Sequence, residues 1–371
     1  MAHARVGLGA AVAVAALALS ACAGPSAPAP TRTPDVTTPG TTAPPATAAP
    51  AEPRTIVDGL AAPWSIVLVG DSALISERDS ARILELTADG HLREVTTVAG
   101  VAHGGEGGLL GLAYDGDAGV YAYATASRGN RVERYTLTGA PGGYALSDPV
   151  IVIDGLPSAR THNAGRIAFG PDGKLYVPVG DAGDRDAAQD PAALNGKILR
   201  LEPDGAIPAD NPTPGSAVYS LGHRNVQGIA WAPPGTTHAG TMYASEFGQN
   251  TWDELNEIVP GGNYGWPVVE GAGGADRGFV EPLQTWPTDA ASPSGIAVIG
   301  DALYIANLRG AVLRRVPLSD PTASEELADE YGRLRDVIAG PDGTAWILTN
   351  NTDGRGQPRE GDDRVLSVPV R

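Results

Sequence analysis

From position 54 onward, apolar residues recur at every second position over short runs, and the runs come in pairs. The stretch 161–181, THNAGRIAFGPDGKLYVPVGD, carries the unit most clearly. Ile167, Phe169, Leu175, Val177 and Val179 give the alternation of a strand pair, and Pro171-Asp172-Gly173 gives the turn between them. A hairpin returns the chain to the end it left. His162, before the first strand, and Asp181, after the second, are therefore expected on one edge of the sheet. An imidazole and a carboxylate held so make a candidate acid/base pair.

The same phrase recurs with inner pairs beginning near Trp64, Leu109, Arg166, Gly228, Gly295 and Asp336. A third strand follows each pair, in ARILEL, NRVERYTL, GKILRLEPDG, DELNEIV, AVLRRVPL and DRVLSVPV. Fourth strands are expected in RTIVDGL, REVTTVAGV, PVIVIDGL and SAVYSLG, with weaker signals later in the chain. Repeats of roughly 40–70 residues with three or four short strands each belong to propellers, where radial repetition protects strand edges. The predicted fold is all-β, a six-bladed β-propeller, with the strand before Trp64 completing the last blade. A β-sandwich has the same strand density but no reason to repeat one phrase six times. The one helical turn expected is Pro321 to Tyr331, PTASEELADEY.

In such a disc every inner pair starts and ends on one face. Before the first strands stand Trp64, Glu106, His162, Arg224, Asn225, Ser292, Ser294, Arg333 and Arg335. After the second strands stand Arg78, Asp181, Gly248, Gln249, Asn250 and Arg309. A basic cluster thus converges on the mouth of the central channel, suited to a multiply anionic planar ligand through guanidinium contacts. The chain as a whole carries a net charge of −17, which argues against nucleic acid or an anionic membrane surface as partner. Each residue also has a bland reading: His162 as a strand cap, Arg333 and Arg335 as a solvated face, Asp181 as a turn residue, and the loop Asn263-Tyr264-Gly265-Trp266-Pro267 as packing. Their common place in the repeat weighs against accident.

Residues 1–22 read as a targeting segment, with Arg5 followed by an apolar run from Val6 to Leu19 too short for a membrane span. Leu19-Ser20-Ala21-Cys22 resembles the lipobox of bacterial lipoproteins, which implies lipidation at Cys22 and display on the outer face of the cell membrane. Cys22 is the single cysteine, so disulfides and thiolate metal sites are excluded. Residues 23–52, almost wholly Ala, Pro, Thr, Gly and Ser, read as a disordered tether, leaving 53–371 for the propeller. No His pair has zinc spacing. Calcium takes oxygen donors, and the turn Glu246-Phe247-Gly248-Gln249-Asn250 can offer backbone carbonyls.

At these residues the chain resembles the soluble glucose/sorbosone dehydrogenase family that depends on pyrroloquinoline quinone (PQQ), particularly its shorter aldose sugar dehydrogenases. The resemblance runs through PWSIV, ISERDSARIL, GGEGGLLGLAYD, HNAGRIAFGPDGKLYVPVGD, NGKILRLEPDGAIPADNP, YSLGHRNVQGIAW, ASEFGQNTWDELNEI, GGNYGWP and RLRDVIAGPDG, in order and with the family's spacing. It implies that His162 is the general base for the sugar's anomeric hydroxyl and that Asp181 orients it. It implies that Arg224 and Asn225 contact the quinone oxygens, that Arg333 and Arg335 bind the cofactor carboxylates, and that the carbonyls of Gly248 and Gln249 hold a Ca2+ ion. Three positions depart from the pattern: Glu106 stands for Gln, Gln249 for Pro and Arg309 for a cofactor-binding Lys. Glu106 beside an anionic quinone must be protonated, paired or turned toward the sugar.

The expected activity is oxidation of aldoses at C1 to lactones, with an electron acceptor that the sequence leaves open. The long insertions of the larger relatives are absent, so a monomer is expected. Two alternatives remain: a cell-surface propeller that binds sugar or protein without catalysis, and a calcium-dependent lactone hydrolase, which would gather acidic ligands where this channel gathers basic ones.

Overall fold

A computed structural model describes residues 52–370 except 237. Among these residues the strands form six antiparallel sheets, five of them built from strands consecutive in sequence. Blade 1 comprises Pro63–Val69, Ser72–Glu77, Arg82–Leu86 and Leu92–Thr97. Blade 2 runs from Leu109–Tyr114 to Val150–Leu156, with a short fifth strand, Ala145–Leu146, on its edge. Blade 3 spans Ala168–Phe169 to Val218–Leu221, blade 4 Val226–Trp231 to Gln284–Pro287, and blade 5 Pro293–Ile299 to Glu325–Leu327. Blade 6 takes Leu334–Ala339, Ala345–Thr349 and Val365–Val368 from the C-terminal end and Arg54–Val57 from the start. Thr55 lies opposite Leu366, so the first strand closes the ring as its position in the sequence predicts.

Successive blades touch all the way round, blade 6 against blade 1 included. The apolar core is accordingly divided into six clusters, one in each gap between blades. Alternation along one strand assigns side chains to two different gaps. Leu175, Val177 and Val179 enter the gap between blades 2 and 3, while Tyr176 between them enters the gap between blades 3 and 4. Burial on both faces explains why the second strands read as almost unbroken apolar runs. Removing such a side chain, for instance Val177→Ala, opens one gap and not its neighbour, at a cost of a few kcal/mol.

Two local expectations need correction. The segment 321–331 is not helical: Glu325–Leu327 forms the outer strand of blade 5. Glu326 and Glu325 lie opposite Arg314 and Arg315, and the Arg314–Glu326 ion pair closes to 2.9 Å. Cross-strand charge pairing and the open edge of the blade outweigh the helix preference of Ala, Glu and Leu. The helical turns among the described residues are instead two 3-10 segments, Asp186–Gln189 and Ala275–Arg277. In the hairpin around 171, the turn forms as expected, with Gly173 at φ 72°. Its first strand, however, is paired only over Ala168–Phe169. The preceding backbone is diverted into the site described next.

Candidate active site

His162, Ala164 and Gly165 all have positive φ, at 60°, 51° and 105°. For the two L-residues this is a sparsely populated region and a local cost of order 1–3 kcal/mol each. The excursion is held by bonds from other blades: Ala164 N donates to Asn225 Oδ1 at 2.9 Å, and Gly111 N to Gly165 O at 3.0 Å. His162 O also packs against Gly180, where a Cβ would come within 1.9 Å of it. Glycine at 180 is therefore what lets the imidazole segment lie against the end of the next strand.

The His162 ring is fixed at both nitrogens. Nδ1 is 2.6 Å from Asp181 Oδ1, and Nε2 is 2.7 Å from Arg224 Nη2. A guanidinium can only donate. Nε2 must then be the acceptor, and the ring proton sits on Nδ1, donated to Asp181. The geometry selects the neutral tautomer with a lone pair at the mouth, which is the form a general base needs. His162 and Arg224 lie on the same rim, as the repeat predicts.

Asp181 is fully buried and takes three donors. Oδ1 accepts from His162 and from Gly183 N at 2.8 Å, and Oδ2 from Trp266 Nε1 at 2.9 Å. Burial pushes its carboxyl up, but the bonds from His162, Gly183 and Trp266 outweigh it and hold the group below the usual carboxylate range. Trp266 also lies beneath Arg224 and Arg185, whose guanidinium carbons are 5.6 and 4.6 Å from its ring. Sequence reading gave this loop to packing; its bond to a carboxylate 85 positions away leaves no trace in spacing. Trp266→Phe keeps the ring and deletes one charge-assisted hydrogen bond worth ~1.5–3 kcal/mol. We expect a roughly tenfold loss of kcat, the factor that corresponds to ~1.4 kcal/mol, with KM little changed, measured in the assay given below.

Behind Asp181, Asn195 Nδ2 donates to its backbone carbonyl at 2.9 Å, and Lys197 gives three bonds to the carbonyls of Ala187, Ala188 and Asn195. Lys197 has no exposed surface, and burial depresses its ammonium to about 8. Between that value and the ordinary ~10.4 the unfolded chain binds more protons than the folded one. Stability from this group therefore rises with pH across that window. Urea unfolding of the wild type should gain stability relative to Lys197→Met between pH 7.5 and 9.5; a constant difference would contradict the assignment.

Arg224 and Asn225 are set by a carboxylate beneath their backbone. Glu246 Oε1 accepts from Arg224 N and, at 3.3 Å, from Asn225 N, while its Oε2 meets His223 Nδ1 at 2.9 Å. The Arg224 side chain reaches Phe247 O at 3.0 Å and Gln249 Oε1 at 3.2 Å, and burial lowers its pKa. Asn225 is fully buried, yet its Nδ2 has no acceptor. Buried donors are rarely left so.

Arg335, 4 % exposed, bonds Asn350 Oδ1 at 3.2 Å, Gln227 Oε1 at 3.1 Å and Ser294 Oγ at 3.3 Å. Burial brings its guanidinium down to about 9, with Asp353 opposing and Arg333, Arg78 and Arg166 adding to the drop. Arg333 pairs with Asp353 at 3.0 Å and leaves its Nε without an acceptor. Arg78, which sequence reading placed on the rim without a role, joins this group through Asp353 O at 3.1 Å. Glu106 is paired: Oε1 meets Arg355 at 3.1 Å and Oε2 accepts His162 N at 2.7 Å. Arg309 is exposed on the blade 5 rim, and among the described residues no bond links its side chain to the cluster.

The turn at 248–252 is drawn inward by one oxygen. The N–H groups of Gln249, Asn250, Thr251 and Trp252 converge on Glu270 Oε1 at 2.7, 2.9, 2.9 and 3.2 Å. Among the described residues nothing donates to the carbonyls of Gly248 and Gln249. Where the family pattern has Pro, Gln249 contributes an N–H to this clamp. No group of three His, Cys, Asp or Glu side chains among the described residues is arranged to hold a metal. Cys22, the targeting segment and residues 23–51 lie outside the described residues.

Residues 60–357 match the family model described as glucose/sorbosone dehydrogenase. The chain belongs to that family. Its fold is similar to the PQQ-bound aldose sugar dehydrogenase of Streptomyces coelicolor, with 47% identity and a TM-score of 0.79, covering 86% of this chain and 100% of that one. The apo-form of the soluble aldose sugar dehydrogenase of Escherichia coli aligns at 25% identity and a TM-score of 0.72, over 86% of this chain and 99% of that one. Quinoprotein glucose dehydrogenase B of Acinetobacter calcoaceticus is 29% identical over 84% of this chain and 87% of its own length. Across the glucose/sorbosone dehydrogenase family match, the six-bladed scaffold carries the whole rim cluster described above.

Proposed function

We propose that this protein is a PQQ-dependent aldose dehydrogenase that oxidises the sugar C1 hydroxyl to the lactone, with His162 as general base. The observation that carries the reading is the pair of contacts on the His162 ring: Asp181 at Nδ1 and the donor-only Arg224 guanidinium at Nε2 together favour a proton on Nδ1 and an acceptor at Nε2, which a substrate hydroxyl can take over from Arg224. PQQ, when bound, supplies the hydride acceptor, and the redox step is its own chemistry. The residues fit such a group. Asn225 Nδ2 and Arg333 Nε are donors without acceptors, and Arg224, Arg333 and Arg335 supply positive charge for carboxylates and quinone oxygens. Ca2+, if held, would take the carbonyls of Gly248 and Gln249 that the Glu270 clamp leaves free.

In the reaction His162 Nε2 accepts the hydroxyl proton as C1 gives up its hydride. The Asp181 carboxylate, bound at Nδ1, stabilises the imidazolium that results, and Trp266 holds the carboxylate in line. Arg224 Nη2, displaced from Nε2 by the substrate hydroxyl, is free to donate to an oxygen that gains charge. Burial of Arg224 and Arg335 excludes water from these donors and strengthens them.

The test is to load purified protein with PQQ and Ca2+ and follow reduction of an artificial dye across a panel of aldoses. Sugar-dependent reduction is expected. PQQ binding without turnover on any sugar would instead favour a binding propeller. For the N-terminal region the proposal is a lipid anchor on Cys22 and a tether over 23–52 that display the propeller on the outer face of the membrane. Cys22→Ala should move the protein from the membrane fraction to the soluble fraction; continued membrane association would contradict the anchor.

A further inference from the structure

Glu106 stands in a four-residue turn, Gly104-Gly105-Glu106-Gly107, closed by reciprocal backbone bonds between Gly104 and Gly107 at 3.1 and 3.0 Å. The turn packs against the segment that carries the imidazole. A Cβ on Gly105, at φ 60°, would come within 2.0 Å of Arg160 O, so glycine is what permits the approach. From there Glu106 grips the segment twice. Its own N–H donates to Arg160 O at 2.9 Å, and its Oε2 accepts from His162 N at 2.7 Å. The backbone so held is the strained one, with His162 at φ 60°. The other carboxylate oxygen, Oε1, accepts from Arg355 Nη1 at 3.1 Å. Arg355 is set in turn by Asp353: its N–H donates to Oδ1 at 2.8 Å, while Arg333 donates to Oδ2 at 3.0 Å.

A carboxylate can accept from both donors at once. Glutamine, which the family pattern has at 106, would meet one with its oxygen and turn its N–H₂ toward the other. Glu106 and Arg355 therefore belong together. The acid is called for because two donors face it, and the base because the acid stands beside a site for an anion. That negative charge is felt in the site: burial lowers the Arg224 pKa, and Asp181 and then Glu106 oppose the drop. We propose that Glu106 is a positioning residue for the general base: its carboxylate fixes the His162 backbone, and Arg355 cancels its charge so that an anionic cofactor can bind beside it. The proposal rests on the redox reading of the rim. It also takes Glu106 away from the sugar, because both of its oxygens are engaged within the chain.

Two measurements on the full chain test it. The first follows hydrogen exchange of the His162 amide in cofactor-free protein. Glu106→Leu keeps the bulk and deletes the acceptor, and should speed exchange at this amide by ~10-fold or more; Glu106→Gln keeps an acceptor and should change it by less than ~3-fold. The second titrates PQQ with Ca2+ into wild type, Glu106→Gln, Arg355→Gln and the double variant at low ionic strength. Arg355→Gln alone should bind about fivefold more weakly, the scale of one partly exposed charge. Adding Glu106→Gln to it should restore the affinity. In turnover, Glu106→Leu should lower kcat with KM little changed, and Glu106→Gln should not, a split that mere loop stabilisation does not produce. Both side chains are partly exposed, at 21 and 45 %, and thermal midpoints check the fold of each variant. Equal exchange at His162 in Glu106→Leu and Glu106→Gln would overturn the positioning. A double variant as weak as Arg355→Gln would place Arg355 on the cofactor itself and overturn the charge compensation. A wild type that binds no PQQ would sink the compensation together with the redox reading, whereas the amide measurement decides the hold on His162 without either.

Discussion

Exchanging His162 for Gln should cut turnover by ~10²–10⁴-fold, the usual worth of a positioned general base, while PQQ still binds. Gln spans a similar length and has both a donor and an acceptor. It can give a hydrogen to Asp181 Oδ1 and accept from Arg224 Nη2, the two bonds made by the imidazole at 2.6 and 2.7 Å. The buried carboxylate and the buried guanidinium thus stay paired, and neither becomes the uncompensated charge that breaking a buried pair leaves behind. What is lost is the ability to take a proton. Cofactor affinity by fluorescence titration and the thermal midpoint should stay near wild type as kcat falls. His162→Ala is the harsher control: it strips Asp181 of one of its donors and should also lower stability. Retained turnover in the Gln variant would remove the imidazole from the chemistry.

Asp181→Asn is expected to be nearly as damaging, for a different reason. Oδ1 of Asp181 faces two donors, His162 Nδ1 and Gly183 N, and Oδ2 faces a third, Trp266 Nε1. An amide has only one oxygen. If that oxygen faces His162, the amide N–H₂ confronts the indole N–H; one buried donor is then unmet, at ~1–3 kcal/mol. If the amide is turned over, it donates to Nδ1, the ring proton moves to Nε2, and Nε2 confronts Arg224. Either way the negative charge that stabilises the imidazolium is gone. A tautomer-fixing carboxylate is worth ~10⁴ in kcat in the serine protease triad, and a loss of ~10²–10⁴ is expected here. Stability has a pH signature too. The Asp181 carboxyl is depressed in the folded protein, so its contribution is present above ~pH 4, the unfolded value, and is lost as pH falls through the folded one. The stability gap between wild type and Asp181→Asn should therefore narrow in acid, read by urea unfolding at pH 7 and pH 3.

Much of this architecture was legible before any coordinates. Alternation predicts the inner strand pairs because each side of a blade is buried in its own gap, Val177 toward one neighbour and Tyr176 toward the other. The turn chemistry around Gly173 and the repeat together place His162, Asp181 and Arg224 on one rim, where they touch. The repeat places Arg333 and Arg335 on that rim as well, the resemblance gives them cofactor carboxylates to bind, and Glu106 proves to be paired with Arg355 and bonded to His162 N. The failures share a cause, which is that the deciding partner is remote in sequence. Trp266 and Glu270 act through a carboxylate and a backbone turn that no periodicity connects to them. The helix expected at 321–331 gives way to a strand because Arg314 and Arg315 on the adjacent strand pair with Glu326 and Glu325. Local propensity decides such a segment only when no sheet edge competes for it.

Everything in the proposed chemistry depends on which ring nitrogen of His162 carries the proton. Long-range ¹⁵N–¹H correlation spectra of the histidine side chains, assigned with His162→Gln, measure this directly. At neutral pH the account predicts a protonated Nδ1 and a bare Nε2, with that preference weakened in Asp181→Asn. A proton on Nε2 in the wild type, or an imidazolium carrying both, would contradict it.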